Sequence, residues 1–291
     1  MPSRFSLLGV TAIVVLLGAC AHPAPPSARP NLPAGPAGDV LGRAIDAAGG
    51  WDRWQALKDV AFVTTLTILD PVRNIESESI GWYMAPLHQG LRARMDSIGM
   101  PEEVRFGIDG KDVWILRDGE QVSDPPRLEL TRFSMATNLF WFSLPFLLAE
   151  RPVTVTDLGE RGGDDERRCH RVKFVFDQPD PILPGDWIVV CFDTETGLIE
   201  RVYAQLRADF LRHELWVGKW LDYRDWNGLK KERRRQFFPA DADGDIIGGV
   251  VADQLVEHVR FNTGFAPDFF ARPKQVKVGE QARRRASATD G

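Results

Sequence analysis

The sequence is poor in the residues that build metal and redox centres. It holds 3 cysteines and 5 histidines. The histidines (His22, His88, His170, His213 and His258) stand far apart, without His-Glu-x-x-His spacing and without paired cysteine ligands. A structural zinc site needs several such donors converging on one ion, so no metal site is expected. Gly-x-Ser-x-Gly, Walker and Rossmann glycine patterns are missing too, so no catalytic residue and no cofactor is assigned. Basic residues are not in excess: 36 Lys and Arg face 41 Asp and Glu, a net charge of -5. That excludes the electrostatic footprint of a nucleic-acid binder. An enzyme with a scattered site, such as a periplasmic hydrolase, is the weakest of the functional alternatives.

Long apolar runs are also scarce, and the first lies at the N-terminus. Arg4 precedes a mostly apolar stretch, Phe5 to Gly18, with small residues leading into Cys20. This is the layout of a secretory signal peptide. It is too short to cross a bilayer core of roughly 30 Å. Leu17-Gly18-Ala19-Cys20 resembles a bacterial lipobox. Residues 1–19 are then removed and Cys20 carries acyl chains, several of which anchor stably where one is marginal. An ordinary signal peptide with an incidental cysteine is the alternative. Arg4 is the only charge among residues 1–19, so their removal moves the net charge from -5 to -6. Residues 20–38 follow as a tether rich in proline, alanine and glycine. Ala21 stands where an aspartate would favour inner-membrane retention in enteric-type sorting. The outer membrane, facing the periplasm, is therefore expected. Residues 274–291 read as a disordered basic tail.

Residues 39–273 form one domain. Its start is helical, with Leu41, Ile45 and Ala48 on one face, a break at Gly49-Gly50, and a second turn carrying Trp51, Trp54 and Leu57. The period then becomes alternating. Strands are expected at 60–69, 76–84, 89–97, 103–108, 113–117, 153–159, 168–176, 187–193, 198–207, 212–225, 230–238 and 249–261, with Asp109-Gly110 as a hairpin turn. This makes a mainly β (α+β) fold: a large antiparallel sheet with an N-terminal helix and a central helical insertion, residues 128–150.

Cys169 and Cys191 flank the proline-rich loop DQPDPILPGD. A hairpin symmetric about Asp180 sets them directly opposite, so a cross-strand disulfide competes with a pair of reduced, half-buried thiols. DADGD at 241–245 suggests calcium, but its glycine falls at the fourth position rather than the sixth, and a polar turn is favoured. KKERRRQ at 230–236 reads as the solvated face of a strand, or else as a docking surface for anionic lipid or an acidic partner. Trp216, Trp220 and Trp226 share one strand face and pack under the N-terminal helix or line a cavity.

The second apolar run is NLFWFSLPFLLAE, 138–150. Eight of the eleven residues from Leu139 to Ala149 are large and apolar: Leu139, Phe140, Trp141, Phe142, Leu144, Phe146, Leu147 and Leu148. Pro145 breaks any continuous helix there. Leaving those side chains in water would forgo on the order of 12–24 kcal/mol. They encircle the helix, so cover is needed on more than one side. A core helix or a lid over a ligand cavity both satisfy this.

Several stretches carry a family likeness. FDTETGLIERV (192–202), DYRDWNGLKKERRRQFFP (222–239) and VVADQLVEHVRFNTGFAPDFFARP (250–273) resemble, in order, the hairpin and closing strands of the outer-membrane lipoprotein carrier and receptor superfamily, the LolA/LolB-like fold. AAGGWDRWQAL (47–57) and Leu-Pro-Phe-Leu (144–147) resemble uncharacterised tethered lipoproteins of that group. The resemblance implies a curved, incomplete β-barrel whose apolar concave side is closed by short helices and takes a hydrophobic small molecule or acyl chain. It implies that residues 139–148 are the lid, joined at the site by Trp216 and Trp220. An envelope protein partner, bound by the same half-barrel as a sensor module, is the other implied role.

Overall fold

The computed structural model describes residue 30 and residues 32–70, 74–162, 168–177, 182 and 185–273. The expected signal segment, Cys20 with most of its tether, the 274–291 tail and most of the loop between the cysteine strands lie outside the described residues. No helix among the described residues is long and apolar enough to cross a membrane.

Helix α1 (Pro36–Ala47) starts with proline in its first turn, where a missing N–H costs nothing. It begins three residues ahead of the expected Asp39 boundary. Val40, Leu41, Ala44 and Ile45 form its buried stripe. Its end needs glycine at Gly49 for two reasons. The residue has φ 121°, and a Cβ there would meet the Gly228 carbonyl oxygen at 2.3 Å. A short helix α2 (Trp51–Gln55) follows.

Among the described residues, thirteen strands then build one antiparallel sheet. They are β1 (Asp59–Leu69), β2 (Ile75–Pro86), β3 (Arg92–Ser97), β4 (Val104–Asp109), β5 (Asp112–Arg117), β6 (Glu120–Gln121), β7 (Val153–Arg161), β8 (Cys169–Phe176), β9 (Trp187–Asp193), β10 (Ile199–Gln205), β11 (Leu215–Trp226), β12 (Leu229–Pro239) and β13 (Ala252–Phe261). The order across the sheet is β6-β5-β4-β3-β2-β1-β13-β12-β11-β10-β9-β8-β7. One meander, β1–β6, therefore runs outward from the centre, and a second, β7–β13, runs inward from the opposite edge until β13 pairs with β1. The outermost strands, β6 and β7, are consecutive in sequence. The chain between them is helix α3 (Pro125–Ser143) and helix α4 (Leu147–Glu150), which cross the concave face from one edge of the sheet to the other.

The expected mainly β fold, a curved open barrel with an N-terminal helix and a helical insertion, is what the chain adopts. Several local expectations need correction. β3 starts at Arg92 rather than Gln89, because His88 and Gly90 have positive φ and form a turn. β11 starts at Leu215 rather than Arg212, with the Trp216 indole donating to the His213 carbonyl at 2.7 Å. Helix α3 starts before Leu128, with Pro125 and Pro126 as its first residues. The edge strand β6 has only two residues and no pattern to reveal it.

The cysteine hairpin is offset from the expected register. Arg171, not Cys169, lies opposite Cys191, and Cys169 lies opposite Asp193. The shift is two residues, so both cysteines keep the same face of the sheet. Cys169 and Cys191 are joined diagonally in a disulfide, with Cα atoms 5.3 Å apart. Their sequence separation is 22, and a loop of that size is expected to lend about 3 kcal/mol through the unfolded state. Reductant should lower the unfolding free energy read from urea titration by that amount in the wild-type protein and leave a Cys169→Ala, Cys191→Ala variant unmoved.

Candidate functional site

Helix α3 is two helices in character. Its first two turns project outward and are largely exposed, apart from Thr131. From Met135 onward every residue to Ala149 is buried, Pro145 included, and its neighbours Leu144 and Phe146 are fully buried. The Leu144–Pro145 bond is cis and separates α3 from α4, so the expected interruption at Pro145 is present.

All eight apolar residues of the candidate site are buried: Leu139, Phe140, Trp141, Phe142, Leu144, Phe146, Leu147 and Leu148. They reach across the concave face. Phe142 stacks on Phe62 of β1, with ring centroids 5.2 Å apart. Phe146 stacks on Trp54 of α2 at 4.7 Å, nearly parallel at 6°. Trp141 meets Trp220 of β11 edge-on at 5.4 Å. Phe140 meets Phe176 of β8 at 6.1 Å. Cover comes from the sheet on one side and from α1 and α2 on the other, which is what an all-round apolar helix requires. Trp220 thus packs against the insertion, and Trp216 is buried in the same cluster. Trp226, beyond the positive-φ Asp222, is only partly buried.

The insertion fills the concave side of the sheet. The crevice where Leu144 and Pro145 meet Ala44, Ala48 and Tyr223 is about 10 Å³. A larger cavity of about 150 Å³ lies on the other face, over the disulfide, between Leu158, Arg171, Val189, Tyr203 and Gly244. The DADGD turn walls it. Asp241 Oδ1 accepts the Asp243 and Asp245 amides, and the Tyr203 hydroxyl donates to the Asp241 carbonyl at 2.9 Å. Asp245 pairs with Arg161 at 2.6 Å. The carboxylates are thus engaged in shaping a polar turn.

Beneath α3 lies a buried polar chain that the sequence reading did not anticipate. KKERRRQ is not a uniformly solvated face: Lys231, Glu232 and Arg235 are buried, whereas Lys230 and Arg234 are exposed. Strand alternation from the buried Leu229 was the available signal for Lys231 and Arg235. Lys231 Nζ donates to the Leu144 carbonyl at 2.5 Å and lies 5.2 Å from the centre of the Phe142 ring. It is 3.6 Å from Glu232 Oε2. Arg235 Nε donates to Glu232 Oε1 at 2.7 Å, and its Nη1 to Gln254 Oε1 at 3.2 Å. Gln254 Nε2 in turn donates to Asn138 Oδ1 on α3 and to Thr64 Oγ1, both at 2.9 Å. Burial pushes the Lys231 ammonium down to about 8, against the pull of Glu232. Its place at the C-terminal end of the 19-residue α3 lets the helix dipole stabilise the positive charge.

A second polar contact holds the far end of the insertion. The Glu150 carboxylate Oε1 accepts from Trp54 Nε1 at 2.7 Å and Gln55 Nε2 at 2.9 Å, and lies 2.9 Å from His88 Nδ1. The Glu150 hydrogen bond raises the His88 pKa, against partial burial. Burial works to raise Glu150, but the bonds from His88, Trp54 and Gln55 outweigh it and hold the carboxyl below its ordinary range. The stability from His88 is full below its ordinary value of about 6.5 and fades as pH rises through the raised value. That from Glu150 is full above about 4.3 and fades as pH falls through the lowered one. Glu150→Gln should therefore cost about 2 kcal/mol near pH 5.5. The gap from wild type should narrow at alkaline pH, as read from melting temperatures across the series.

No protein-family model matches the sequence, and no curated protein matches it. Solved structures do. A LolA superfamily protein from Nitrosomonas europaea superposes with a TM-score of 0.51 at 8% identity, over 82% of this chain and 99% of that one. The fold is LolA/LolB-like. Two further structures align at similar coverage. A DUF1329 family protein from Desulfovibrio piger gives a TM-score of 0.48 at 10% identity, over 80% of this chain and 96% of that one. A domain named for outer membrane lipoprotein sorting, from Vibrio parahaemolyticus, gives 0.46 at 12% identity, over 80% and 95%. In this LolA-like chain, α3 and α4 occupy the concave side of the sheet.

Proposed function

We propose that the protein is a non-enzymatic, lipid-anchored envelope protein that binds a hydrophobic ligand, an acyl chain, on the concave face of its half-barrel. In this reading Cys20 is the anchor, the outer membrane is its site, and α3–α4 is a lid. The observation that carries it is topological. The insertion joins the two outer edges of the sheet without pairing to any strand, so it can leave the concave face with every ladder bond intact. Its departure would bare a row of apolar side chains that includes Phe62, Tyr83, Phe174 and Trp220. An acyl chain replaces the lid's own apolar area. Twelve buried methylenes supply about 10 kcal/mol, close to the lower estimate for the lid side chains they displace. The exchange is then near balance, as reversible loading requires.

Hydrogen exchange tests this. A fluorescent fatty-acid analogue should bind saturably and raise exchange at residues 135–149, while β1, β12 and β13 stay protected. No binding, or binding with exchange unchanged in that segment, would sink the lid reading.

A further inference from the structure

Lys231, Glu232 and Arg235 lie buried together beneath α3, two positive charges against one negative. Arg235 is matched by Glu232. The Lys231 ammonium shares Glu232 at 3.6 Å and otherwise relies on partners outside the sheet, the Leu144 carbonyl at 2.5 Å and the face of the Phe142 ring. Both belong to the segment that leaves in the reading above, on which the present inference rests. Displacement removes the carbonyl, the end of the helix dipole and the aromatic face together. It also takes Asn138 away from Gln254. The polar groups bared in the vacated space would include the Lys231 ammonium, the Gln254 amide and the Tyr83 hydroxyl, which loses the Met135 carbonyl. Filling it with alkane alone would leave two buried cations sharing one carboxylate, an excess of one positive charge, which is unfavourable. A group bearing one negative charge restores what the lid supplied and cancels the excess.

We infer that the ligand carries a singly anionic head, a fatty carboxylate or an acyl phosphodiester, seated on Lys231 with its chain lying where residues 139–148 pack. Gln254 faces the same space and offers its amide as a second donor to that head. The head lies at the centre of the sheet, on β12 and β13, and the chain extends from there along the concave face.

Titration calorimetry on the full chain with matched pairs tests the assignment: dodecanoate against dodecanol, and lysophosphatidylglycerol against lysophosphatidylcholine. The anionic member of at least one pair should bind at least about 10-fold tighter, and which pair shows the preference tells carboxylate from phosphodiester. That preference should collapse toward unity in Lys231→Met and persist in Lys231→Arg. Equal affinities within both pairs in the wild-type protein would overturn the anionic head and leave acyl-chain binding standing. So would a preference that survives Lys231→Met. Failure of all four compounds to bind would overturn both readings.

Discussion

Replacing Glu232 by leucine is expected to cost about 3–5 kcal/mol of stability. Glu232 is 1% exposed and is the counter-ion for two buried cations, Lys231 and Arg235. Its removal leaves both without compensation in the core. Arg235 cannot respond by giving up its proton. Against a typical total of 5–15 kcal/mol, the loss is a large fraction. Lys231→Met should behave in the opposite way. It leaves the Glu232–Arg235 pair neutral, replaces a buried ammonium by an apolar chain of similar length, and sacrifices one hydrogen bond to the Leu144 carbonyl. A change within about 1.5 kcal/mol is expected, since the bond lost and the desolvation penalty relieved offset one another. Urea unfolding of the two variants side by side decides the matter. Equal losses would mean that Lys231 and Arg235 are solvated, contrary to their burial.

The second large effect concerns Phe142. It stacks on Phe62, lies beside Phe261 at 6.1 Å, and receives Lys231 over its ring. Phe142→Ala removes all three contacts and should cost about 3–5 kcal/mol. If the lid opens independently of the sheet, that loss falls on the closed state alone. The open fraction then rises, and the apparent affinity for an acyl probe rises with it. A shift of 3 kcal/mol corresponds to about 100-fold. The variant would be less stable and yet bind more tightly. Weaker binding in Phe142→Ala, with the sheet still folded, would assign the ring to the ligand's surroundings rather than to the lid that competes with it.

Much of this architecture was legible from residue patterns, and the exceptions have physical causes. Alternation located nearly every strand, because one face of each is buried against α1–α4. The two-residue β6 has too little length to alternate, and β3 starts later than expected because Gln89 lies inside the turn made by the positive-φ His88 and Gly90. The apolar run at 139–148 revealed the candidate site, since eight large side chains need cover. The buried polar chain below it stayed hidden. Lys231, Glu232 and Arg235 sit in a run of charges that resembles a solvated surface. Only the sheet order, which places β12 near the centre under α3, takes them out of water. Sequence spacing also could not fix the cysteine hairpin to better than two residues. The turn lies in a proline-rich loop that need not be symmetric, and a two-residue slip leaves every side chain on its proper face.

The place of β13 bears on how the chain comes together. It is the last strand among the described residues, yet it sits between β1 and β12. Each meander can zip from neighbour to neighbour as it is synthesised, but nothing joins one to the other until residues 252–261 are available. Until then β1 and β12 each present an unsatisfied ladder, the kind of edge that recruits other chains. A product cut short before Ala252 would be two half-sheets strung together by their outer ends, with an apolar helix between them and no closed face on which to lay it. Assembly of the concave surface is therefore coupled to the synthesis of residues 252–261.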